Sequence, residues 1–227
     1  VGFALAVVHP GAGNIGGGGF MVIRNEDGEI ATIDFRETAP SKAHRDMFLD
    51  NNGKVIPKKS WNTALATGVP GTVEGLGHAH KLYGILPWET VMQPAIKLAE
   101  DGYKLNYSNI LSLELYKKYL SQDPITKSIF TSKRGFFGVS QLFRQPELAS
   151  TLNRIQINGP REFYEGITAQ YIVNCMERTG GIITLEDLKS YKSKLRSPIT
   201  FKYRGFTIHS MPPPSSGGIA LAGILNQ

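Results

Sequence analysis

The chain has 227 residues, 41% hydrophobic and 19% charged, a balance that supports a substantial core and excludes a disordered chain. A single cysteine, Cys175, excludes an intrachain disulfide framework and a multi-cysteine metal cluster, and no run of about 18 apolar residues argues for a membrane span. The net charge of +6 raises nucleic acid as a partner, but the surplus needs a stacking surface to carry that reading.

The first eight residues, VGFALAVV, are apolar and small without a basic start or a cleavage site. They read as a core element missing its upstream context, not as a signal peptide. Gly11, Gly13 and Gly16 then satisfy G-x-G-x-x-G, and Asp34 follows near the spacing of a ribose-binding carboxylate. A dinucleotide site needs a helix to start at those glycines. Here they run into Gly18, Gly19 and Phe20 to Ile23, then Asn25-Glu26-Asp27-Gly28, then Ile30 to Phe35, which is the pattern of a β-hairpin. The glycines therefore feed a strand, and their expected use is positive φ and close approach of a second segment or a substrate to the main chain.

Arg36 follows that second strand directly, bracketed by Asp34 and Glu37. A guanidinium at a strand end beside a glycine-lined loop suits two-pronged binding of a carboxylate. An internal salt bridge to Asp34 or Glu37 is the competing use.

From Pro70 the pattern turns helical. Helices are expected from Pro70–Thr72 to Gly84, from Pro87 to Gly102 with Pro94 as a bend, and over 107–120, 146–157 and 166–179. The last stops at Gly180-Gly181, and Thr184-Leu185-Glu186-Asp187 resembles a capping box for one more short helix. Strand signals return at Ile199 to Tyr203 and Phe206 to His209 around Arg204-Gly205. Met211 to Gly218 then separates this hairpin from a final apolar helix. Two hairpins flanking a helical block give an α+β fold, with a sheet expected to draw on both ends of the chain.

The remaining candidates carry less. Lys104, Lys117, Lys118, Lys127, Lys133, Arg134, Arg144 and Arg154 face only Glu114, Asp123 and Glu147 in the same stretch, but no nucleic-acid motif accompanies them, so a solvated basic face is expected. Cys175, inside YIVNCM, reads as a buried, inert thiol. His78 and His80 lie two apart, which points them to different helix faces, and His9, His44 and His209 stand singly, so no metal is expected. Ser215 and Ser216 lack both a G-x-S-x-G elbow and a His-Asp order, and read as a rigid turn near the site wall.

The segments NIGGGGFMVI, IDFRETAP with KAHRDMFLD, TGVPGTVEGL, GPREFYEG, GGIITLEDLKSY and YRGFTIHSMPPPSSGGIAL together resemble the large subunit of the γ-glutamyltransferase (glutathione hydrolase) family, in order from Ala6 to Leu225. The resemblance implies an N-terminal nucleophile hydrolase fold, a four-layer αββα sandwich formed from one precursor that cleaves itself in two. It implies that Arg36, in the matching D-F-R-E, binds the α-carboxylate of the γ-glutamyl group, and that export to the periplasm or outside the cell is usual; no cofactor is expected. On this footing residues 1–227 are expected to be one domain fragment of the large subunit, β-rich over 1–69, mostly helical over 70–197, and a hairpin then a helix over 198–227.

The family's nucleophile is the threonine that opens the small subunit, whose own amino group acts as base. This chain starts with Val1 and ends at Gln227, before the family's cleavage point, so no catalytic residue is assigned within it. The implied partners are the small subunit from the same precursor, glutathione and other γ-glutamyl donors, and amino-acid or peptide acceptors. Sister activities on the same fold, a cephalosporin acylase or a poly-γ-glutamate depolymerase, and an inactive homologue kept as a binding subunit are the alternatives.

Overall fold

The computed structural model describes residues 1–12, 14–132 and 135–227. Gly13 of the glycine pattern and Lys133 and Arg134 of the basic stretch lie outside the described residues. The apolar start is helix α1 (Gly2–Val8), which buries Phe3, Ala6 and Val7, the i, i+3, i+4 stripe of a helix laid on a core. The expected hairpin follows as β1 (Gly19–Arg24) and β2 (Ile30–Phe35), antiparallel with Gly19 opposite Phe35 and Arg24 opposite Ile30. Its turn closes through Glu29 N–H on the Asn25 side chain at 2.8 Å, and Gly28 takes the φ of +84° that the turn requires.

A long loop containing α2 (Lys59–Asn62) and a 3₁₀ turn (Ala64–Ala66) leads to the helical block. There α3 (Thr72–Tyr83) stops at Gly84, and α4 (Trp88–Asp101) stops at Gly102, both as expected. Pro94 lies inside α4 on its exposed side, where the Thr90 carbonyl left without an N–H partner can meet water. The segment from 103 to 145 has more structure than its sequence signals. β3 (Tyr103–Lys104) pairs with β6 (Leu142–Phe143), and β4 (Thr131–Ser132) pairs with β5 (Gly135–Phe136). Between them lie α5 (Tyr107–Leu120), capped reciprocally by Asn106 and Asn109, and α6 (Pro124–Phe130), capped by Asp123. Leu105, Leu113 and Phe143 form a small second core here.

α7 (Pro146–Asn158) packs against α4, and Ala149, Leu152 and Ile155 meet Met92, Ala95, Ile96 and Ala99 in the main core. The short α8 (Glu162–Glu165) adds Phe163 and Tyr164 to it. α9 (Ile167–Thr179) ends on Gly180 in the left-handed conformation. Cys175 on α9 is half-buried, not buried as expected, and Arg178 one turn on places Nη2 3.7 Å from its sulfur. This helix turns only Thr168 and Ala169 fully inward, which leaves the cysteine near the surface.

α10 (Leu185–Ser190) carries the expected capping box in full: Asp187 N–H donates to the Thr184 hydroxyl, and the Asp187 carboxylate accepts from Thr184 N–H at 2.9 Å. The same side chain accepts Ser41 N–H at 2.8 Å, which fastens the loop after β2 onto α10. Burial opposes the charge on Asp187, but the hydrogen bonds from Ser41 and Thr184 outweigh it and hold the carboxyl below its usual value. A depressed folded-state pKa adds stability that is complete above the unfolded value of about 3.9 and is lost as pH falls through the folded value. Asp187→Ala should therefore cost about 1.5 kcal/mol at pH 7, and in urea unfolding the gap from wild type should narrow below about pH 4.

The first sheet has the order β1-β2-β7, its third strand being β7 (Lys194–Arg196), paired antiparallel to β2 with Thr32 opposite Arg196. Chain segments far apart do share this sheet, but the late contribution is β7. The terminal hairpin, β8 (Ile199–Tyr203) and β9 (Phe206–Ser210), forms its own two-stranded sheet among the described residues. Arg204 and Gly205 both take positive φ at its tip, the turn that suits a two-residue hairpin. α11 (Gly217–Leu225) follows. No helix among the described residues is long and apolar enough to cross a membrane.

Candidate functional site

Three segments meet at the end of β2. The loop 16–19, the stretch 35–38 and the turn 68–72 are knitted together by backbone hydrogen bonds. Gly71 and Thr72 N–H both donate to Gly17 O, at 2.8 and 3.0 Å, and Thr38 and Val69 exchange N–H···O bonds in both directions. A Cβ added at Gly18 would stand 2.5 Å from Phe35 O and 2.8 Å from Glu37 N. One added at Gly71 would overlap Phe35 O and the Tyr191 hydroxyl, and one at Gly75 would overlap the Phe35 ring. Gly16, Gly18, Gly19 and Gly71 do not sit in the left-handed region. The expectation of positive φ is therefore corrected at these positions: Gly18 and Gly71 are needed because two stretches of main chain touch where a methyl group would not fit, whereas Gly16 has room for one.

Asp34 is fully engaged. Its Oδ2 accepts both Nε and Nη2 of Arg196 at 2.7 Å, and its Oδ1 accepts Arg36 N–H at 3.0 Å. With its side chain only 7% exposed, it is an internal counterion and offers nothing to a ribose. Arg196 arrives on β7, so the strand that completes the sheet also neutralises the carboxylate beside the site.

With Asp34 taken, the Arg36 guanidinium is left to Glu37, whose Oε2 lies 3.3 Å from Nε, and to the face of Phe20, 5.6 Å from the ring centroid. The Arg36 side chain is 57% exposed, so the Glu37 pair is a solvent-screened contact of small worth that an incoming carboxylate can displace. The arginine backbone is held far more firmly than its side chain. Its N–H is on Asp34, and its carbonyl accepts the Tyr191 hydroxyl at 2.8 Å. The arrangement presents a permanent cation at the end of β2, beside Glu37 and the Phe20 ring, suited to a mobile carboxylate ligand.

The other sequence candidates do not join this site. His78 Nδ1 lies 2.7 Å from Ser193 Oγ, and His80 Nε2 lies 2.8 Å from Leu86 O, so each ring has its own partner. His209 is bonded to Thr200 across β8 and β9 at 3.0 Å. Among the described residues, no three His, Cys, Asp or Glu side chains are grouped as a metal site. Ser216 starts α11 and Ser215 N–H closes a turn on Pro212 O at 3.1 Å, which makes both turn residues. A cavity of about 310 Å³ opens in the small second core, beside Leu113, Phe130 and Phe143, and shares no lining residue with the Arg36 region. Sequence reasoning found Arg36 but missed Arg196 and Tyr191. The nearest signal for Tyr191 is its place at the end of GGIITLEDLKSY, which marks a helix end and nothing about residue 36.

Residues 1–227 match the family described as Gamma-glutamyltranspeptidase. The chain is 48% identical over its whole length to the glutathione hydrolase proenzyme of Escherichia coli and covers 39% of that protein. It is 44% identical to the glutathione hydrolase proenzyme of Pseudomonas aeruginosa over 98% of the chain and 39% of that protein. Among solved structures, the gamma-glutamyltranspeptidase of Helicobacter pylori superposes with a TM-score of 0.96 at 48% identity, covering 99% of this chain and 65% of the other. The chain thus spans about two fifths of the length of the curated relatives it matches.

Proposed function

This chain belongs to the gamma-glutamyltranspeptidase family, in the large-subunit portion, and from that membership we propose that it forms the donor-binding part of an enzyme that cleaves the γ-glutamyl amide of glutathione and related compounds. The carrying observation is Arg36, a half-exposed guanidinium at the end of β2 whose neighbouring carboxylate, Asp34, is already neutralised by Arg196. Arg36 binds the free α-carboxylate of the donor in a two-pronged pair and displaces the Glu37 contact. Its part is to place the γ-carbonyl, since held geometry lowers the barrier without bond-making by the arginine itself.

Bond-making belongs to the remainder of the precursor. The threonine that opens the small subunit after self-cleavage attacks the γ-amide carbonyl, the amine leaves, and a γ-glutamyl ester forms. Water hydrolyses the ester, or an amino acid or peptide takes the acyl group. The two subunits work as a heterodimer in the periplasm or outside the cell. A sister acylase, a poly-γ-glutamate depolymerase and an inactive binding subunit are less favoured, because identity to glutathione hydrolases over the whole of this chain reaches 48%.

The complete protein should self-cleave and then release aniline from a γ-glutamyl anilide, faster when a dipeptide acceptor is added. A processed protein that leaves the anilide intact would overturn the reading.

A further inference from the structure

Arg36 is fixed mainly through its peptide, and one side chain from far along the sequence does much of that fixing. The Tyr191 hydroxyl donates to Arg36 O at 2.8 Å across 155 residues. The ring behind that hydroxyl is itself immobile. It is 4% exposed, stacks on Tyr164 with centroids 5.8 Å apart and planes at 8°, and stands on a main chain whose carbonyl accepts Arg161 Nη1 at 3.4 Å. The other hydroxyl of the stacked pair serves a different segment, since Tyr164 donates to Pro70 O at 3.0 Å and accepts Glu74 N–H at 3.1 Å.

We propose that Tyr191 is a positioning residue for donor binding: its hydroxyl holds the Arg36 peptide at the angle from which the guanidinium meets the donor carboxylate. The inference rests on reading Arg36 as the carboxylate clamp. With N–H on Asp34 and C=O on Tyr191, the Arg36 backbone is fastened on both sides of its Cα, so the four side-chain torsions start from a fixed base. Without the hydroxyl, one fastening is gone and the guanidinium samples a wider cone. Binding of a planar, two-pronged ligand is sensitive to such loosening, whereas attack by a nucleophile supplied from elsewhere is not. Burial, followed by the negative charges of Asp34, Glu37 and Glu74, pushes the Tyr191 phenol well above its ordinary value. It therefore remains a donor throughout the neutral range, and its effect on binding should not vary with pH there.

The test uses the complete, self-cleaved enzyme. Tyr191→Phe keeps the ring and its stack, so normal self-cleavage is expected, with KM for a γ-glutamyl anilide raised about fivefold and kcat within about twofold of wild type. Inhibition by L-glutamate should weaken by a similar factor, while inhibition by 4-aminobutyrate, which lacks the α-carboxylate, should not change. Tyr103→Phe, whose hydroxyl donates to Val7 O at 3.2 Å away from all three segments of the site, should lower Tm and leave KM alone. In an Arg36→Ala background, Tyr191→Phe should add nothing to KM. An unchanged KM in Tyr191→Phe, an equal weakening of both inhibitors, a further rise on top of Arg36→Ala, or a failure to self-cleave would each overturn the proposal. A normal KM in Arg36→Ala itself would overturn the reading of Arg36 along with it, whereas a raised KM there and a silent Tyr191→Phe would sink only the role of Tyr191.

Discussion

Arg36→Ala in the complete enzyme should raise KM for γ-glutamyl donors by more than tenfold, on the order of a hundredfold because both prongs of the carboxylate pair are lost, with self-cleavage intact. The magnitude follows from charge-assisted hydrogen bonds at a half-exposed cation, each worth about 1.5 to 3 kcal/mol when its partner is held in place. Folding should be little affected. The arginine side chain has one screened ionic contact, to Glu37, among the described residues, and both backbone hydrogen bonds survive the substitution. Arg36→Lys should recover only part of the binding, because an ammonium is a point charge and cannot span two carboxylate oxygens. Initial-rate kinetics with a γ-glutamyl anilide measure all three forms, and a KM for Arg36→Ala within twofold of wild type would remove the arginine from the donor site.

Gly71→Ala should be the most damaging single methyl group in the region. The added carbon would overlap Phe35 O and the Tyr191 hydroxyl, one of them main chain and the other pinned by the Arg36 carbonyl, so neither can simply rotate away. Overpacking of this kind costs about 3 kcal/mol or more. The strain would reach Gly17 as well, since Gly71 N–H donates to its carbonyl. The expected result is a precursor that accumulates unprocessed or insoluble, seen on a denaturing gel, with a Tm lowered by several degrees in any soluble fraction. Gly16→Ala is the contrast within the glycine loop: its new Cβ would meet only Asn14 Oδ1, at an ordinary 3.6 Å, and the variant should fold and self-cleave normally. Equal behaviour of the two variants would show that the close approach at Gly71 is not what the fold depends on.

Local chemistry made much of this legible from the residues. The Asp-Gly turn between two β-branched runs marks β1 and β2, the Thr184–Asp187 spacing marks the start of α10, Gly180 marks the end of α9, and the strand end at Phe35 exposes Arg36 as a candidate. What stayed hidden depends on contacts between distant segments. β7 has three residues and no alternating pattern to give it away, and its Arg196 finds Asp34 across 162 positions. Tyr191 reads as one more aromatic at a helix end. The glycines are a subtler case, because a residue needed for positive φ and one needed for close approach are the same letter. Only the position of Phe35 O separates them. The short strands between 103 and 143 were missed for a related reason: two residues per strand are too few for a period to show.

The order β1-β2-β7 bears on how the protein is made. β2 emerges from the ribosome long before the strand that covers its second edge. Until residue 191 has been made the Arg36 carbonyl has no tyrosine to accept from, and until residue 196 that edge offers unpaired N–H and C=O groups and Asp34 lacks Arg196. While the 162 positions from Asp34 to Arg196 are being made, the nascent chain therefore holds an open strand edge, which is where intermolecular strand pairing begins. Truncation before residue 191 would leave a chain that has its arginine but neither Tyr191 nor Arg196 to aim it.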